Sequence, residues 1–378
     1  MTNHYDIAVV GAGILGLAHA WHLARAGKRV VVFERHARAQ GASVRNFGMV
    51  WPIGQPAGEH YALALRSREI WLDVLSAAGL WHDRSGSLHL AYEDDEAEVL
   101  REFVTDGGHR DRSYELLGAD QVAQIAPWVK TPGLRLGLFS PVETCVDPRQ
   151  VVADLPAFLR DTLGVRFEFD TSVLGYDRPT VRTSRGAFRA DQLVVCGGDE
   201  FQVLYPELFA GSGLIKCKLQ MMRAVAQPAG QRMGPMLAAG LTQLHYKSFA
   251  ACPTLPAVRR RMETTMSDYI RYGIHVLVSQ PGTGEITIGD THEYGDDISI
   301  FNKERLDEMV LSYLDRFFAA PRMAINERWF GIYAKHPSKP WLHARPADGV
   351  TIVTGVGGAG MTLSFGLAEK VAAEVLQS

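Results

Sequence analysis

A glycine-rich motif that could bind a ligand lies near the amino terminus. Residues 11–16 read Gly-Ala-Gly-Ile-Leu-Gly and match the pattern Gly-x-Gly-x-x-Gly. In such a turn Gly11 permits a sharp bend, Gly13 lets a pyrophosphate approach the backbone, and Gly16 lets a helix pack closely against a strand. The free N–H groups and the positive end of the helix that follows attract the negative charge of the diphosphate. The turn therefore predicts a dinucleotide site.

An acidic residue stands where a ribose would need it. Glu34 follows the apolar stretch Arg29–Phe33 and lies 18 residues after Gly16. A carboxylate at the end of the second strand of such a unit accepts hydrogen bonds from ribose hydroxyls, and it would repel a 2′-phosphate. The alternative is that the glycines serve only a tight turn and that Glu34 is a surface charge. A strand before the turn, a helix after it and the acidic residue in place together disfavour that alternative.

A second glycine-rich stretch lies near the carboxyl terminus. Residues 355–362 read Gly-Val-Gly-Gly-Ala-Gly-Met-Thr and precede a predicted helix. Such a turn allows close approach of the backbone, and its helix dipole favours negative charge on a reduced flavin ring. A protein that binds NAD alone has little need of a second such site, so FAD is the predicted cofactor. A tightly packed glycine connection and an NAD-linked dehydrogenase are the alternatives.

Hydrophobic periodicity predicts the elements that position these turns. Tyr5–Val10 and Arg29–Phe33 are nearly all apolar, as in strands buried on both faces of a parallel sheet, and Leu15–Ala26 between them is helical. Asp147 is placed to cap a helix that Pro148 opens. The further predictions are helices over 59–80, 95–103, 148–163 and 303–318, strands near 166–169, 180–183 and 192–195, strand patterns over 214–290, and a strand, glycine run and helix over 350–377. Nucleotide-type elements at both ends, with β-rich material between them, predict two domains threaded through each other.

Composition excludes several classes of protein. The 378 residues include 39 Lys and Arg and 42 Asp and Glu, with a formal net charge of −3, so neither a nucleic-acid partner nor an anionic membrane is expected. Four cysteines, at 145, 196, 217 and 252, form no Cys-x-x-Cys pair, which favours a reducing cytoplasm. The apolar run Ile7–Ala18 falls short of the ~20 residues that span a bilayer. A signal peptide would carry Lys or Arg before such a run, and none precedes it here, so no signal peptide is expected.

These motifs, in their order and spacing, resemble the D-amino-acid oxidase superfamily of flavoproteins, which includes glycine and sarcosine oxidases. The resemblance covers essentially the whole chain and rests on 11–16 with Glu34, 41–43, 146–148, Val173 with 193–198, 289–293 and 355–362. It implies an α/β fold with a Rossmann-type FAD-binding domain and an interleaved β-rich (α+β) substrate domain. The implied boundaries are 1–82, 144–213 and 325–378 for the FAD-binding domain, and 83–143 and 214–324 for the substrate domain.

The resemblance also implies roles for single residues. The glycines of residues 11–16 would hold the pyrophosphate, Glu34 the ribose, Val173 the adenine through its backbone, and residues 360–362 the pyrimidine edge of the flavin. The full set of implied cofactor-binding residues is Gly11, Gly13, Ile14, Leu15, Gly16, Glu34, Arg35, Ser43, Asn46, Gly48, Met49, Val173, Gly197, Gly198, Gly331, Gly358, Gly360, Met361 and Thr362.

Two departures from the family pattern bear on the cofactor and its reoxidation. Residues 329–333 hold no cysteine where some sarcosine oxidases attach the flavin, so noncovalent FAD is expected. Thr287 stands where some relatives use a lysine to activate dioxygen. Dioxygen and another electron acceptor therefore both stay open.

The implied chemistry is oxidation of an amine. Hydride transfer from the carbon that carries the nitrogen needs the nitrogen lone pair, so the pocket should favour the neutral amine by desolvation or nearby positive charge. The sequence contains no Gly-x-Ser-x-Gly, His-Glu-x-x-His or phosphate-loop motif, and no metal site is predicted. His275 on an apparent strand is interpreted as structural, and His292-Glu293 as a structural pair at a strand end.

An anionic end of the substrate would be bound by cations and hydroxyl donors. The candidates are Arg45, Lys247, Arg271, Lys335, His336, Tyr246, Tyr269, Tyr272 and Tyr333. Tyr333 and Lys335 rank first because they follow the strand that reaches the flavin in relatives, and Arg45 ranks next. Together with His336 and Tyr246 they are the predicted catalytic residues. For any one of them, a solvated charge or a core tyrosine is the competing interpretation.

The segment 41–56 narrows the resemblance to a subgroup associated with breakdown of 2-aminoethylphosphonate and its N-methyl form. The resemblance implies oxidation of such an aminophosphonate to phosphonoacetaldehyde, with dioxygen or another acceptor as the only further partner. One alternative is a glycine, sarcosine or D-amino-acid oxidase, whose short carboxylate would need only one bidentate arginine. Another is a flavin-binding redox protein without catalysis. The oligomeric state is left open.

Overall fold

The structure is a computed structural model that describes residues 4–105, 113–295 and 297–377. Within these residues the strands form two large sheets and one small one. The first sheet has a parallel centre, in which His4–Val10 lies between Val30–Phe33 and Gly186–Val195. The strands of this sheet are Leu342–Ala344, Val350–Thr354, Gly186–Val195, His4–Val10, Val30–Phe33 and Arg166–Glu168, with Val173–Asp177 and Thr180–Thr183 added to one end of Gly186–Val195.

Side-chain alternation explains why the central strands are apolar throughout. Val30 and Val32 pack into one hydrophobic core with the helices, whereas Val31 and Phe33 pack into another on the opposite face. Successive side chains of a strand point to opposite faces, so a sheet covered on both sides needs apolar residues at every position. The prediction of a buried parallel unit at the amino terminus is confirmed.

The second sheet is mostly antiparallel and carries the longest strand of the described chain. Its strands are Glu293–Gly295, Ile325–Lys335, Ile215–Ala224, Ile286–Gly289, Leu277–Ser279, Met236–Ala239, Ser87–Ala91, Leu136–Ser140 and Glu115–Leu117. The small third sheet joins Met49–Val50, Thr144–Val146 and His82–Asp83. The α/β fold with an interleaved β-rich part is confirmed by this arrangement.

The helices that surround the sheets match most of the predicted ones. They are Ile14–Arg25, Glu59–Ala77, Asp94–Thr105, Ala119–Ile125, Pro148–Leu163, Pro206–Gly211, Leu241–His245, Leu255–Thr265, Ser267–Arg271, Glu304–Leu314 and Gly360–Val375, with 3₁₀ turns at Ala42–Val44, Pro52–Gly54, Lys247–Phe249 and Gly357–Ala359. Asp147 accepts hydrogen bonds from the backbone N–H groups of Arg149 and Gln150, which confirms its predicted capping role. Among the described residues, no helix combines the length and apolar character needed to cross a bilayer.

Three expectations from the sequence are corrected. Strand Ile325–Lys335 was grouped with the FAD-binding segments, but it pairs antiparallel with Ile215–Ala224 in the second sheet. The stretch 214–290, predicted as strands, also contains the helices within 241–271. His275 does not lie on a strand, because the strand begins only at Leu277. An apolar pattern identifies a buried segment but does not identify its neighbour, which is why these three points escaped prediction.

Candidate active site

A cavity of about 630 Å³ runs between the first sheet and the second sheet. Its volume lies within the ~300–1,000 Å³ usual for ligand and cofactor sites. At one end are the glycine turn of residues 11–16 and the ends of the central strands, and at the other end are residues of the second sheet and its loops. A cavity that reaches from the glycine turn to the second sheet suits an extended dinucleotide.

The glycine turn is built so closely that side chains are excluded. Gly11 has φ +96°, and a Cβ added to it would lie 2.5 Å from the carbonyl oxygen of Cys196. A Cβ on Gly16 would lie 1.9 Å from the carbonyl oxygen of Gly11. Gly16 therefore serves the packing of helix on strand and does not line the cavity, whereas Gly11 and Gly13 do.

Glu34 lies in the cavity wall and also holds the turn. Its Oε2 accepts a hydrogen bond from the backbone N–H of Ala12 over 3.0 Å, and its Oε1 accepts one from that of His36 over 3.1 Å. Each carboxylate oxygen has a second lone pair, so the side chain can still accept hydrogen bonds from hydroxyls in the cavity.

The loop after the second strand closes over the turn. Ser43 Oγ accepts a hydrogen bond from the backbone N–H of Ile14 over 2.9 Å. The side-chain amide of Asn46 donates to the carbonyl oxygens of Ala42 and Ser43, and its Oδ1 accepts from the backbone N–H of Gly48. Asn46 thus lines the cavity and shapes the loop at the same time.

The carboxyl-terminal glycine stretch presents the start of a helix to the cavity. Helix Gly360–Val375 follows the turn Gly357–Ala359, and no side chain of the described residues caps its amino terminus. Gly358, Gly360 and Met361 line the cavity. The first N–H groups of such a helix have no partner within it, so they can donate to an electron-rich ligand edge.

Most of the other predicted cofactor-binding residues also lie in the wall. These are Ile14, Leu15, Arg35, Val173, Gly197, Gly198 and Gly331. A Cβ on Gly331 would lie 3.3 Å from the carbonyl oxygen of Arg45, so the wall comes close to the loop there. The glycine cradle, the acidic residue beside it and the uncapped helix fit FAD as the group held in this cavity.

Besides Gly16, three predicted cofactor-binding residues lie outside this wall. Thr362 Oγ1 accepts a hydrogen bond from the backbone N–H of Trp51. Both Thr362 and Met49 line a smaller adjoining cavity of about 70 Å³. Gly48 is a packing residue, because a Cβ on it would lie 2.0 Å from the carbonyl oxygen of Val146. Their direct contact with the cofactor stays a prediction.

Two of the predicted catalytic residues lie at the far end of the cavity. Tyr246 and Tyr333 are in its wall. Burial raises the pKa of both phenols, so they are neutral hydrogen-bond donors. Lys335 is half-buried behind this wall, where its Nζ lies 3.4 Å from the hydroxyl of Tyr294. Burial lowers the pKa of Lys335 from its ordinary value.

The remaining candidates for anion binding do not converge on this end. Arg45 lines the cavity, but its Nη1 donates to the carbonyl oxygen of Phe330 over 3.1 Å. His336 lies outside the wall, and its Nδ1 accepts a hydrogen bond from the backbone N–H of Lys339 over 2.9 Å. His336 therefore caps a turn, and its catalytic role stays a prediction. Also outside the wall are Lys247, Tyr269, Arg271 and Tyr272.

Four residues at this end escaped prediction as site residues. His245, His275, Asp290 and His292 all line the cavity, although the sequence analysis interpreted His275 and His292 as structural. The three histidines come from separate segments and bring ring nitrogens within 4.8 Å of one another. Only the tertiary fold joins them, because their spacing follows no ligand or catalytic pattern.

Known proteins share both the sequence signature and the fold. A family model described as "FAD dependent oxidoreductase" (DAO) matches residues 6–374. The chain is 25% identical to D-amino acid dehydrogenase 2 of Mesorhizobium japonicum, over 52% of this chain and 62% of that protein. It is 24% identical to monomeric sarcosine oxidase of a Bacillus species, over 52% of each. The chain thus spans less than two thirds of the length of these relatives.

A solved structure of glycine oxidase from Geobacillus kaustophilus is similar over nearly the full length. Its TM-score is 0.76 with 19% identity, over 100% of this chain and 95% of that one. L-proline dehydrogenase from P. horikoshii gives a TM-score of 0.77 with 18% identity, over 100% of this chain and 94% of that one. At these identities the likeness shows a common fold.

Proposed function

The chain belongs to the DAO family of FAD-dependent oxidoreductases, and on this premise we propose that it oxidises a small anionic amine, with FAD bound noncovalently. The favoured substrate is 2-aminoethylphosphonate or its N-methyl form, and the product is phosphonoacetaldehyde. We place this activity in the cytoplasm, in keeping with four buried cysteines that form no disulfide.

The observation that carries this proposal is the kind of donor at the far end of the cavity. Within the described residues, the arginines of the wall are Arg35 and Arg45. Nη1 of Arg35 pairs with Glu200, and Nη1 of Arg45 donates to the carbonyl oxygen of Phe330, so part of each guanidinium is already engaged. At the far end the wall also carries the two tyrosines Tyr246 and Tyr333 and the three histidines His245, His275 and His292. Several separate donors suit the three oxygens of a phosphonate better than the two oxygens of a carboxylate.

The residues of the chain prepare the amine for oxidation. FAD held in this cavity would supply the acceptor for the hydride from the carbon that bears the nitrogen, and water would hydrolyse the resulting imine to a carbonyl compound with release of ammonia or methylamine. The buried wall excludes water and favours the neutral amine, whose lone pair the reaction needs. The positive charge of Lys335 acts in the same direction.

A second candidate function is oxidation of glycine, sarcosine or a D-amino acid. It is favoured by the names of the similar proteins, which include a D-amino acid dehydrogenase and a sarcosine oxidase. These substrates would place a carboxylate against the same tyrosines and histidines. A flavin-binding protein without catalysis is the third possibility and would not be reduced by any amine.

The test is anaerobic reduction of the purified holoenzyme by each amine. We expect the flavin absorption to bleach faster with 2-aminoethylphosphonate and its N-methyl form than with glycine, sarcosine or D-alanine. Faster bleaching by the carboxylates would replace the aminophosphonate with the second candidate. If none of the amines bleaches the flavin, the enzymatic proposal is wrong. Peroxide release under air then distinguishes dioxygen from another acceptor.

A further inference from the structure

Three histidines form a compact group at the far end of the cavity, named here the imidazole cluster. His245 ends the helix Leu241–His245, His275 precedes the strand Leu277–Ser279, and His292 follows the strand Ile286–Gly289. The ring centroids of His245 and His275 lie 3.7 Å apart, those of His245 and His292 4.7 Å, and those of His275 and His292 5.1 Å. All three side chains line the cavity.

The imidazole cluster has hydrogen-bonding capacity that the protein itself does not use. Among the described residues, both ring nitrogens of His275 are buried without a hydrogen-bond partner, and so is Oδ1 of Asp290, which lies 3.2 Å from His275 Nε2 without the alignment of a hydrogen bond. His292 Nδ1 donates to the carbonyl oxygen of Gly273 over 3.0 Å, which leaves its Nε2 for another partner. Buried polar groups without partners cost free energy, so such a group is expected to meet a ligand.

The charge around the imidazole cluster is positive. Burial lowers the pKa of all three histidines, to about 4 for His292, and the charge of Lys335 lowers each of them further. The free cluster is therefore uncharged at neutral pH. A ligand with negative charge would be attracted by Lys335. It would also raise the pKa of the three histidines, because it favours their protonated rings.

We propose that the imidazole cluster binds the doubly charged phosphonate of the substrate and takes up protons as it does so. This inference rests on the proposed function and extends it to named residues. His245, His275 and His292 become N–H donors to the phosphonate oxygens, and charge-assisted hydrogen bonds of this kind are the strong ones. A singly charged or planar anion would gain less from the same three donors.

The proton balance involves Asp290 and the groups around the cluster. Burial raises the pKa of Asp290 well above its usual range, which favours the protonated form of this carboxyl group. When the phosphonate binds, this proton can move to His275, and a second imidazole takes one from solvent. The other titratable or charged groups that act on this region are Tyr246, Tyr294, Tyr333, Cys217, Lys335 and, through Lys335, Lys247. Burial raises the pKa of the phenols and the thiol, so these stay neutral.

A divalent metal is the competing ligand, since three neutral imidazoles and a carboxylate are a common ligand set. Two observations favour the anion. The rings of His245 and His275 are stacked with an angle of 29° between their planes, so they overlap face to face and do not converge on a centre. The positive charge of Lys335 acts on all three imidazoles and would oppose a second cation.

The test uses ethylphosphonate, which lacks the amine and is not oxidised. Its binding to the holoenzyme is measured by calorimetry in two buffers of different ionisation enthalpy, at an alkaline pH where the phosphonate is fully ionised. We expect net proton uptake, and weaker binding without uptake for ethanesulfonate, which has the same shape and one charge less. His275→Gln and His292→Gln should each weaken ethylphosphonate binding roughly tenfold or more, the loss expected for a hydrogen bond to a charged group. Both should also reduce the proton uptake.

The matched control is His60→Gln, because His60 lies on the helix Glu59–Ala77 and outside the cavity wall. The flavin spectrum of each variant checks that it folds and holds FAD. Normal binding and uptake in both cluster variants would overturn the inference while leaving aminophosphonate oxidation intact. Turnover of sarcosine without any binding of ethylphosphonate would instead remove the proposed substrate. A bound divalent metal that ethylphosphonate needs for binding would also overturn the inference in favour of a metal centre.

Discussion

Ser43 Oγ accepts a hydrogen bond from the backbone N–H of Ile14 over 2.9 Å, which ties the loop after the second strand to the first turn of the amino-terminal helix. The backbone N–H of Ala12 likewise donates a hydrogen bond to Oε2 of Glu34. The backbone N–H of Gly11 donates to the carbonyl oxygen of Phe33, so three donors of the glycine turn are engaged by the protein and help to fix its geometry. The cradle is therefore formed by tertiary contacts as well as by its glycines.

Removing the Ser43 hydroxyl should weaken cofactor binding. In Ser43→Ala the N–H of Ile14 loses its acceptor and the loop loses one anchor, so we expect a loss of about 1 kcal/mol, or roughly fivefold in FAD affinity. The dissociation constant is measured by titrating apoprotein with FAD. The exposed Ser113→Ala is the control and should bind FAD as the unaltered protein does. Equal affinities for the two variants would contradict the anchoring role.

A methyl group at Gly16 should disrupt the turn. In Gly16→Ala the added Cβ would lie 1.9 Å from the carbonyl oxygen of Gly11, so helix and strand must separate. We expect a loss of about 3 kcal/mol in the free energy of unfolding, at the upper end for overpacking, and weaker retention of FAD. Denaturant titration measures the first and the flavin absorbance the second. Gly211→Ala, where an added Cβ meets nothing within 4 Å, should change the unfolding free energy by less than about 0.5 kcal/mol.

Replacing Lys335 should weaken binding of the anionic substrate. Lys335→Met keeps the length of the half-buried side chain and removes its charge, so kcat/KM should fall roughly tenfold, mainly through KM. Steady-state kinetics with the preferred amine measure this change. Lys339→Met is the matched control, since Lys339 is exposed and lies outside the cavity wall. An unchanged KM in Lys335→Met would show that its charge does not reach the substrate.

Acid should destabilise the protein through its buried histidines. His89 lies between Trp51 and Phe249 with both ring nitrogens unpartnered, and burial lowers its pKa to about 3. The unfolded chain binds a proton at this residue below about pH 6.5 while the folded protein does not, so stability falls as the pH decreases through that window. Between about pH 7.5 and pH 5, His89 alone should contribute a loss of about 2 kcal/mol.

His89→Phe removes the titrating imidazole and keeps an aromatic ring between Trp51 and Phe249. Urea unfolding at both pH values measures the unfolding free energy of the variant and of the unaltered protein. On going from the higher to the lower pH, the unaltered protein should lose about 2 kcal/mol more unfolding free energy than the variant does. A difference that is independent of pH would mean that His89 is protonated to the same extent in the folded and the unfolded chain.

Much of the fold followed from local patterns in the sequence. The glycine turn, the apolar strands beside it and the capped helix Pro148–Leu163 are encoded within short segments, where steric limits, strand alternation and capping act between near neighbours. The position of Glu34 at the end of its strand followed for the same reason. The sheet that strand Ile325–Lys335 joins could not be predicted from the sequence, because the alternation of side chains is the same whichever strand lies beside it.

The two ends of the cavity differ in the same way in how far the sequence predicted them. By itself the sequence determined the cofactor end, since a pyrophosphate is held by backbone N–H groups whose geometry a few consecutive glycines dictate. Only the tertiary structure decided the other end, where His245, His275 and His292 meet from three separate segments and where Nη1 of Arg45 donates to the carbonyl oxygen of Phe330. Side chains brought together by long-range packing carry no fixed spacing along the chain, and their protonation depends on a burial that exists only after folding.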